Sequence, residues 1–93
     1  MRITFDEAAV ADLERIYSWI AKDDPRAAAR VVERVFDSVE KLGTFPRMGR
    51  AGRRPGTYEW IVPDLQYIVV FELFPERDEH LVTAVFHGAQ DRQ

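Results

Sequence analysis

Hydrophobic and polar positions change period several times along this chain, and each change marks an element. Arg2-Ile3-Thr4-Phe5 alternates, with Ile3 and Phe5 on one side, and predicts a short first strand. Asp6 suits a helix N-cap, because its carboxylate accepts a hydrogen bond from a free backbone N–H. Val10, Leu13, Tyr17 and Ile20 then recur at helical spacing, which predicts a helix over 7–22. Asp24-Pro25 is a second start signal, since proline at the first helical position loses no hydrogen bond. Ala28, Val31, Val32, Val35, Val39 and Leu42 form an apolar stripe that Gly43 should stop, giving a second helix over 25–42. The short connection makes the two an antiparallel hairpin.

Gly49, Gly52 and Pro55-Gly56 punctuate a loop over 44–56. Strands follow at 58–62, 66–74 and 81–87, with a charged turn at 75–80. The order β-α-α-β-β-β predicts an α+β fold, a helix hairpin packed on one face of a mainly antiparallel sheet. Pairing Phe74 with Leu81 puts Tyr67, Val69, Phe71 and Leu73 on one face with Val82, Ala84 and Phe86. That apolar set should meet the helices. The opposite face then carries Ile68, Val70, Glu72, Phe74, Leu81, Thr83, Val85 and His87. No further element exists in the pattern to cover it, and an uncovered apolar patch usually marks a partner surface. The competing reading is that the helices or the 44–56 loop wrap over part of it.

Composition narrows the class. At 93 residues the chain suits one domain, 1–93, and with 46% hydrophobic and 31% charged residues it should fold around a core. The longest apolar run, 67–71, is too short to span a membrane, and the start carries no hydrophobic signal stretch, so a cytoplasmic location is expected. The absence of cysteine excludes disulfides, thiol nucleophiles and zinc–thiolate sites. The net charge is −3, yet residues 46–56 hold Arg47, Arg50, Arg53 and Arg54 with no acid. A general nucleic-acid binder is basic over a whole face, so neither sequence-specific DNA binding nor membrane attachment is expected, and electrostatic docking should be local.

Candidate chemistry is sparse. The two histidines, His80 and His87, fall on opposite faces by strand alternation, so no metal site and no cofactor is expected. His87 at a strand end on the open face suits a general acid or base near neutral pH, or a hydrogen-bonded residue that closes the strand. The arginines suit phosphate or interface carboxylates, or are simply solvated. Trp19 lies off the apolar stripe of its helix, either as a partner anchor or packed sideways on the second helix.

The ordered set Asp12-Leu13, Phe45-Pro46-x-x-Gly49-Arg50, Gly52-Arg53-Arg54, Pro55-Gly56-Thr57-x-Glu59, 67–71 and His87-Gly88 resembles the RelE/ParE family of type II toxin–antitoxin (plasmid stabilisation) toxins. The resemblance implies one of two activities. RelE-like members are ribosome-dependent mRNA endoribonucleases; the arginine of their middle strand falls here at Ile68, and the arginine after their final glycine at Gln90. Both changes remove cations that would stabilise a charged transition state. ParE-like members poison DNA gyrase, a protein target, and the Pro55-Gly56-Thr57 segment and the chain ending look closer to them, although Tyr58 stands where many relatives are basic. The expectation is therefore a ParE-like growth inhibitor neutralised by a cognate antitoxin. The alternatives are a ribonuclease using His87 with Arg50, Arg53 or Arg54, or a decayed toxin that only binds antitoxin. Expected target contacts are Arg47, Arg50, Arg53, Arg54, His87 and Gln90. Expected antitoxin contacts are Trp19, Ile68, Val70, Phe74, Leu81 and Val85.

Overall fold

Helix starts follow the capping chemistry of the sequence. The Asp6 carboxylate accepts the N–H of Ala9 at 2.9 Å, and α1 runs over Glu7–Ala21. Asp24 accepts the N–H groups of Arg26 and Ala27, and α2 runs over Pro25–Thr44. The second helix continues through Gly43 rather than stopping there. Leu42 is buried beneath its last turn, and burial of a leucine exceeds the ~1 kcal/mol that glycine costs a helix. The computed structural model describes residues 2–44 and 49–88.

Five strands form one sheet in the order β1-β5-β4-β3-β2: β1 Arg2–Phe5, β2 Arg50–Ala51, β3 Thr57–Ile61, β4 Tyr67–Phe74 and β5 Glu79–His87. Only β1 is parallel to its neighbour, β5. The two-residue β2 lies inside the stretch expected to be loop. Ala9 and Leu13 of α1 and Val35, Val39 and Leu42 of α2 pack on Val69, Phe71, Val82 and Val85, so both helices cover the same face.

The β4–β5 pairing differs from the expected register, and the difference decides which side chains meet the helices. Residues 75–77 form a tight 3₁₀ turn closed by Asp78 in the left-handed region, φ 52°, so Phe74 pairs with Glu79 instead of Leu81. Farther along, Val70 pairs with Ala84 and Phe71 with Val82, leaving Thr83 as an extra residue in a β-bulge. Side chains alternate with period two, so one inserted residue exchanges the faces beyond it. Before the bulge, His80 and Val82 point to the helices; after it, Val85 and His87 do. Val85 is therefore core, at 2% exposure, not part of the open face. Ala84 and Phe86 take the opposite face instead, paired with Val70 and Ile68. His80 and His87 share the helix side rather than lying on opposite faces.

Candidate functional site

Three surfaces carry the residues singled out above. The first is the β2–β3 hairpin. Its tip is closed by Gly52 N–H to the Thr57 carbonyl (2.8 Å), Thr57 N–H to the Arg54 carbonyl (3.1 Å) and the Thr57 hydroxyl to the same carbonyl (2.6 Å). Pro55 followed by Gly56 at φ 82° matches a type II turn, which needs positive φ at its third residue. A Cβ at Gly52 would stand 2.3 Å from Thr57 Oγ1, so only glycine admits this closure. The result is a short, tied hairpin that presents exposed Arg53 and Arg54. Arg50 sits on β2 and reaches Glu59 Oε1 at 3.5 Å. Arg47 and Gln90 lie outside the described residues.

The second surface is an open groove of about 870 Å³ between α1 and the sheet, lined among others by Asp12, Arg15, Trp19, Lys22, Tyr67 and His87. Trp19 is 72% exposed on its rim rather than packed against α2, and the Lys22 ammonium stands 5.5 Å from its ring centre. His87 meets Tyr67 edge-to-face, with ring centres 5.2 Å apart. Burial pushes the Tyr67 phenol pKa up. Asp12 is buried, accepts the N–H of Val85 at 2.9 Å and pairs with Arg15. A bulge disrupts the regular ladder, and buried backbone amides require partners; Asp12 supplies one from the helix just beyond the extra residue. Among the described residues, no group of three or more His, Asp or Glu is placed to hold a metal ion.

The third surface is the outer face of the sheet. Ile68, Val70, Phe74 and Leu81 lie on it, all half-buried, together with Ile61 at 45% exposure. No helix among the described residues packs there. Trp19 stands on the helix side, so the expected antitoxin contacts divide between two sides of the sheet.

The arginines and His87 are not brought together. Thr57, at the hairpin tip, pairs with Glu72, whereas His87 pairs with Tyr67 at the far end of β4. At ~3.3 Å per residue the separation along the sheet alone is about 17 Å. His87 also faces the helices, not the open face where the sequence pattern put it.

Two residues that matter here escaped the pattern. Asp12 occupies the buried stripe of α1 between Ala9 and Ile16, and a carboxylate at a stripe position was the available signal. His80 is 1% exposed, beside Phe71, with neither ring nitrogen hydrogen-bonded. Burial lowers its pKa, so it serves as neutral filling.

Relatives agree with this architecture. Residues 3–92 match the family described as the ParE toxin of the type II toxin–antitoxin system parDE. The chain is 39% identical over 89 residues to the putative toxin Y4kP of Sinorhizobium fredii (strain NBRC 101917 / NGR234), covering 96% of this chain and 90% of that protein. It is 31% identical over 86 residues to toxin RelE1 of Caulobacter vibrioides (strain ATCC 19089 / CIP 103742 / CB 15), covering 90% and 89%. Its fold matches a chain of the chromosomal ParDE TA system from P. aeruginosa with a TM-score of 0.80 at 20% identity, covering 94% and 95% of the two chains. A chain of the intact E. coli RelBE toxin–antitoxin complex matches with a TM-score of 0.72 at 17% identity, covering 98% of each. The class is thus a type II toxin of the ParE/RelE superfamily. Within it, the chain belongs to the ParE toxin family.

Proposed function

We propose that this toxin arrests growth by binding a protein target, DNA gyrase, and that a cognate antitoxin neutralises it. The observation that carries this reading is the separation just described. Phosphoryl transfer needs a proton-transfer group and cations converging on one phosphate. Here His87 faces the groove, Arg53 and Arg54 stand on a tied hairpin about 17 Å away along the sheet, and Ile68 occupies the middle strand where a ribonuclease of the superfamily would carry arginine. A tied hairpin with two exposed guanidinium groups suits docking on a carboxylate-bearing protein surface. Arg50, Arg53 and Arg54 are the proposed target contacts. Ile68, Val70, Phe74 and Leu81 are the proposed antitoxin contacts, supported by the absence of any described helix over them. Trp19, on the groove, would belong to a separate contact.

The test is induction without antitoxin. Filamentation with DNA damage, and loss of supercoiling by purified gyrase, is the expected result; a double Arg53→Ala/Arg54→Ala variant should abolish both while still binding antitoxin. The groove favours one second reading, since it sets His87 beside Tyr67, Asp12 and Arg15. Ribosome-dependent mRNA cleavage that disappears in His87→Gln would establish it, whereas the gyrase reading expects His87→Gln to stay toxic within roughly tenfold, outside the ~10²–10⁴-fold loss of a general acid or base. Antitoxin binding without either activity would mark a decayed toxin.

A further inference from the structure

The outer face is not uniformly apolar. The strand register places three carboxylates on a diagonal across it. Glu72 on β4 pairs with Thr57 and Leu81, and Glu59 and Glu79 sit two residues away on the neighbouring strands. The two flanking carboxylates are already answered within the chain. Glu59 faces Arg50 at 3.5 Å, and Glu79 accepts from the Thr4 hydroxyl at 2.7 Å and from Arg77 at 3.1 Å. The Thr4 hydrogen bond first, and then Arg77, hold the Glu79 carboxyl below its usual range. Glu72, the central one, has neither a hydrogen bond nor an ion pair among the described residues. Apolar side chains stand on both sides of it along the strands, Ile68 and Val70 one way and Phe74 the other, with the Arg77 guanidinium 4.2 Å from the Phe74 ring centre.

Whatever covers this face must also cover Glu72. An ionised carboxylate sealed from water without a partner is strongly unfavourable, and its removal from water is compensated only by charge-assisted donors. Glu59 and Glu79 need none, because their arginines stay with them. We propose that the occupant of the outer face is an amphipathic peptide segment that sets one arginine or lysine on Glu72 between two apolar contacts. This rests on the antitoxin reading above and names the chemistry of that partner. It also makes Glu72 a specificity-determining residue: an apolar segment alone would leave the carboxylate unpaired, and an acidic one would be repelled.

The experiment has two arms, both on the full chain. In the first, a displayed library of random 12-residue peptides is selected against the wild type, and the best binder is measured on Glu72→Gln, Glu72→Lys and Ile68→Asp variants. Wild type should enrich arginine or lysine flanked by apolar residues. Affinity should fall about 10–100-fold in Glu72→Lys, the range a hydrogen bond to a charged group spans, and less in Glu72→Gln, which keeps an acceptor. Selection on Glu72→Lys itself should enrich Asp or Glu. Peptides without a basic residue, or binders indifferent to both Glu72→Lys and Ile68→Asp, would overturn the proposal. In the second arm, the DNA flanking this gene is searched for a small reading frame encoding an antitoxin, which is co-expressed with wild type and Glu72→Lys. Rescue of growth for the wild type with weakened rescue for the variant is expected. Equal rescue of both overturns the inference and leaves the antitoxin reading standing; rescue of neither overturns the assignment of that frame as the antitoxin, and the peptide arm then decides the inference alone.

Discussion

One sheet presents two faces that are built by different rules. The inner face is filled by Val69, Phe71, Val82 and Val85 under two helices, all at 2% exposure or less. The outer face carries Ile68, Val70, Phe74 and Leu81 at intermediate exposure beside a buried Phe86, interrupted by Glu59, Glu72 and Glu79. Both are apolar enough to look like core in sequence. What separates them is polar treatment. On the inner face the polar groups are answered or neutral: Asp12 is bonded to the Val85 amide, and His80 is an uncharged imidazole. On the outer face one carboxylate waits for a partner. An unanswered charge among apolar residues is what supports the proposal that the outer face meets a partner.

That contrast can be broken most directly by truncation. Phe71→Ala should cost about 3–5 kcal/mol in urea unfolding, the range for a buried aromatic. Ile68→Ala, on the partly exposed outer face, should cost under about 1.5 kcal/mol while weakening the partner complex. Equal costs would mean that the chain covers its own outer face. Asp12→Ala should cost about 1.5–3 kcal/mol, because it strands the Val85 amide and removes a charge-assisted bond.

Acid sharpens the comparison next. The folded-state pKa of His80 lies below its ordinary value, so below pH ~6.5 the unfolded chain binds a proton that the folded chain refuses. Stability should therefore be insensitive to His80 above that pH and fall as pH drops toward its folded pKa, by at most about 1.4 kcal/mol per pH unit. His80→Leu should remove that part of the slope in pH-dependent unfolding. An unchanged slope would mean that the imidazole protonates freely in the fold. The smallest effect belongs to the hairpin: Arg54→Ala should shift stability by no more than ~0.5 kcal/mol, as exposed charges do, although the double Arg53→Ala/Arg54→Ala variant is expected to abolish growth inhibition.

Much of the fold was legible because local chemistry and global packing agree. Asp6 and Asp24 cap the helices they were expected to cap, and β1, β3 and β4 fall within a residue of the periodic runs. The β5 faces were not legible. A bulge is one residue without a partner, and nothing in Val82-Thr83-Ala84-Val85 announces it; alternation simply reads through. The error then propagated to function, placing Val85 and His87 on the open face and separating two histidines that share a side. The hairpin was legible as glycine and proline punctuation but not as a strand, since two residues are too few for a periodic signal. Asp12 carried a signal that composition obscured, a carboxylate at an apolar position of an otherwise ordinary amphipathic helix.

The parallel pairing of β1 with β5 also has a temporal side. Arg2 lies beside Glu79 and Phe5 beside Val82, so β1 must wait for β5. Pairings this distant in sequence form late, after the loop-closure entropy of almost the whole chain has been overcome. During synthesis β1 stays an unpaired strand edge next to a helix hairpin whose apolar side is still bare. A chain interrupted before β5 would lack the strand that holds Val82 and Val85 against α1 and that carries Leu81 and His87 to their surfaces. Under the proposed function, growth inhibition depends on β5 being made and docked, and a partner already present at that moment would meet the outer face as soon as it exists.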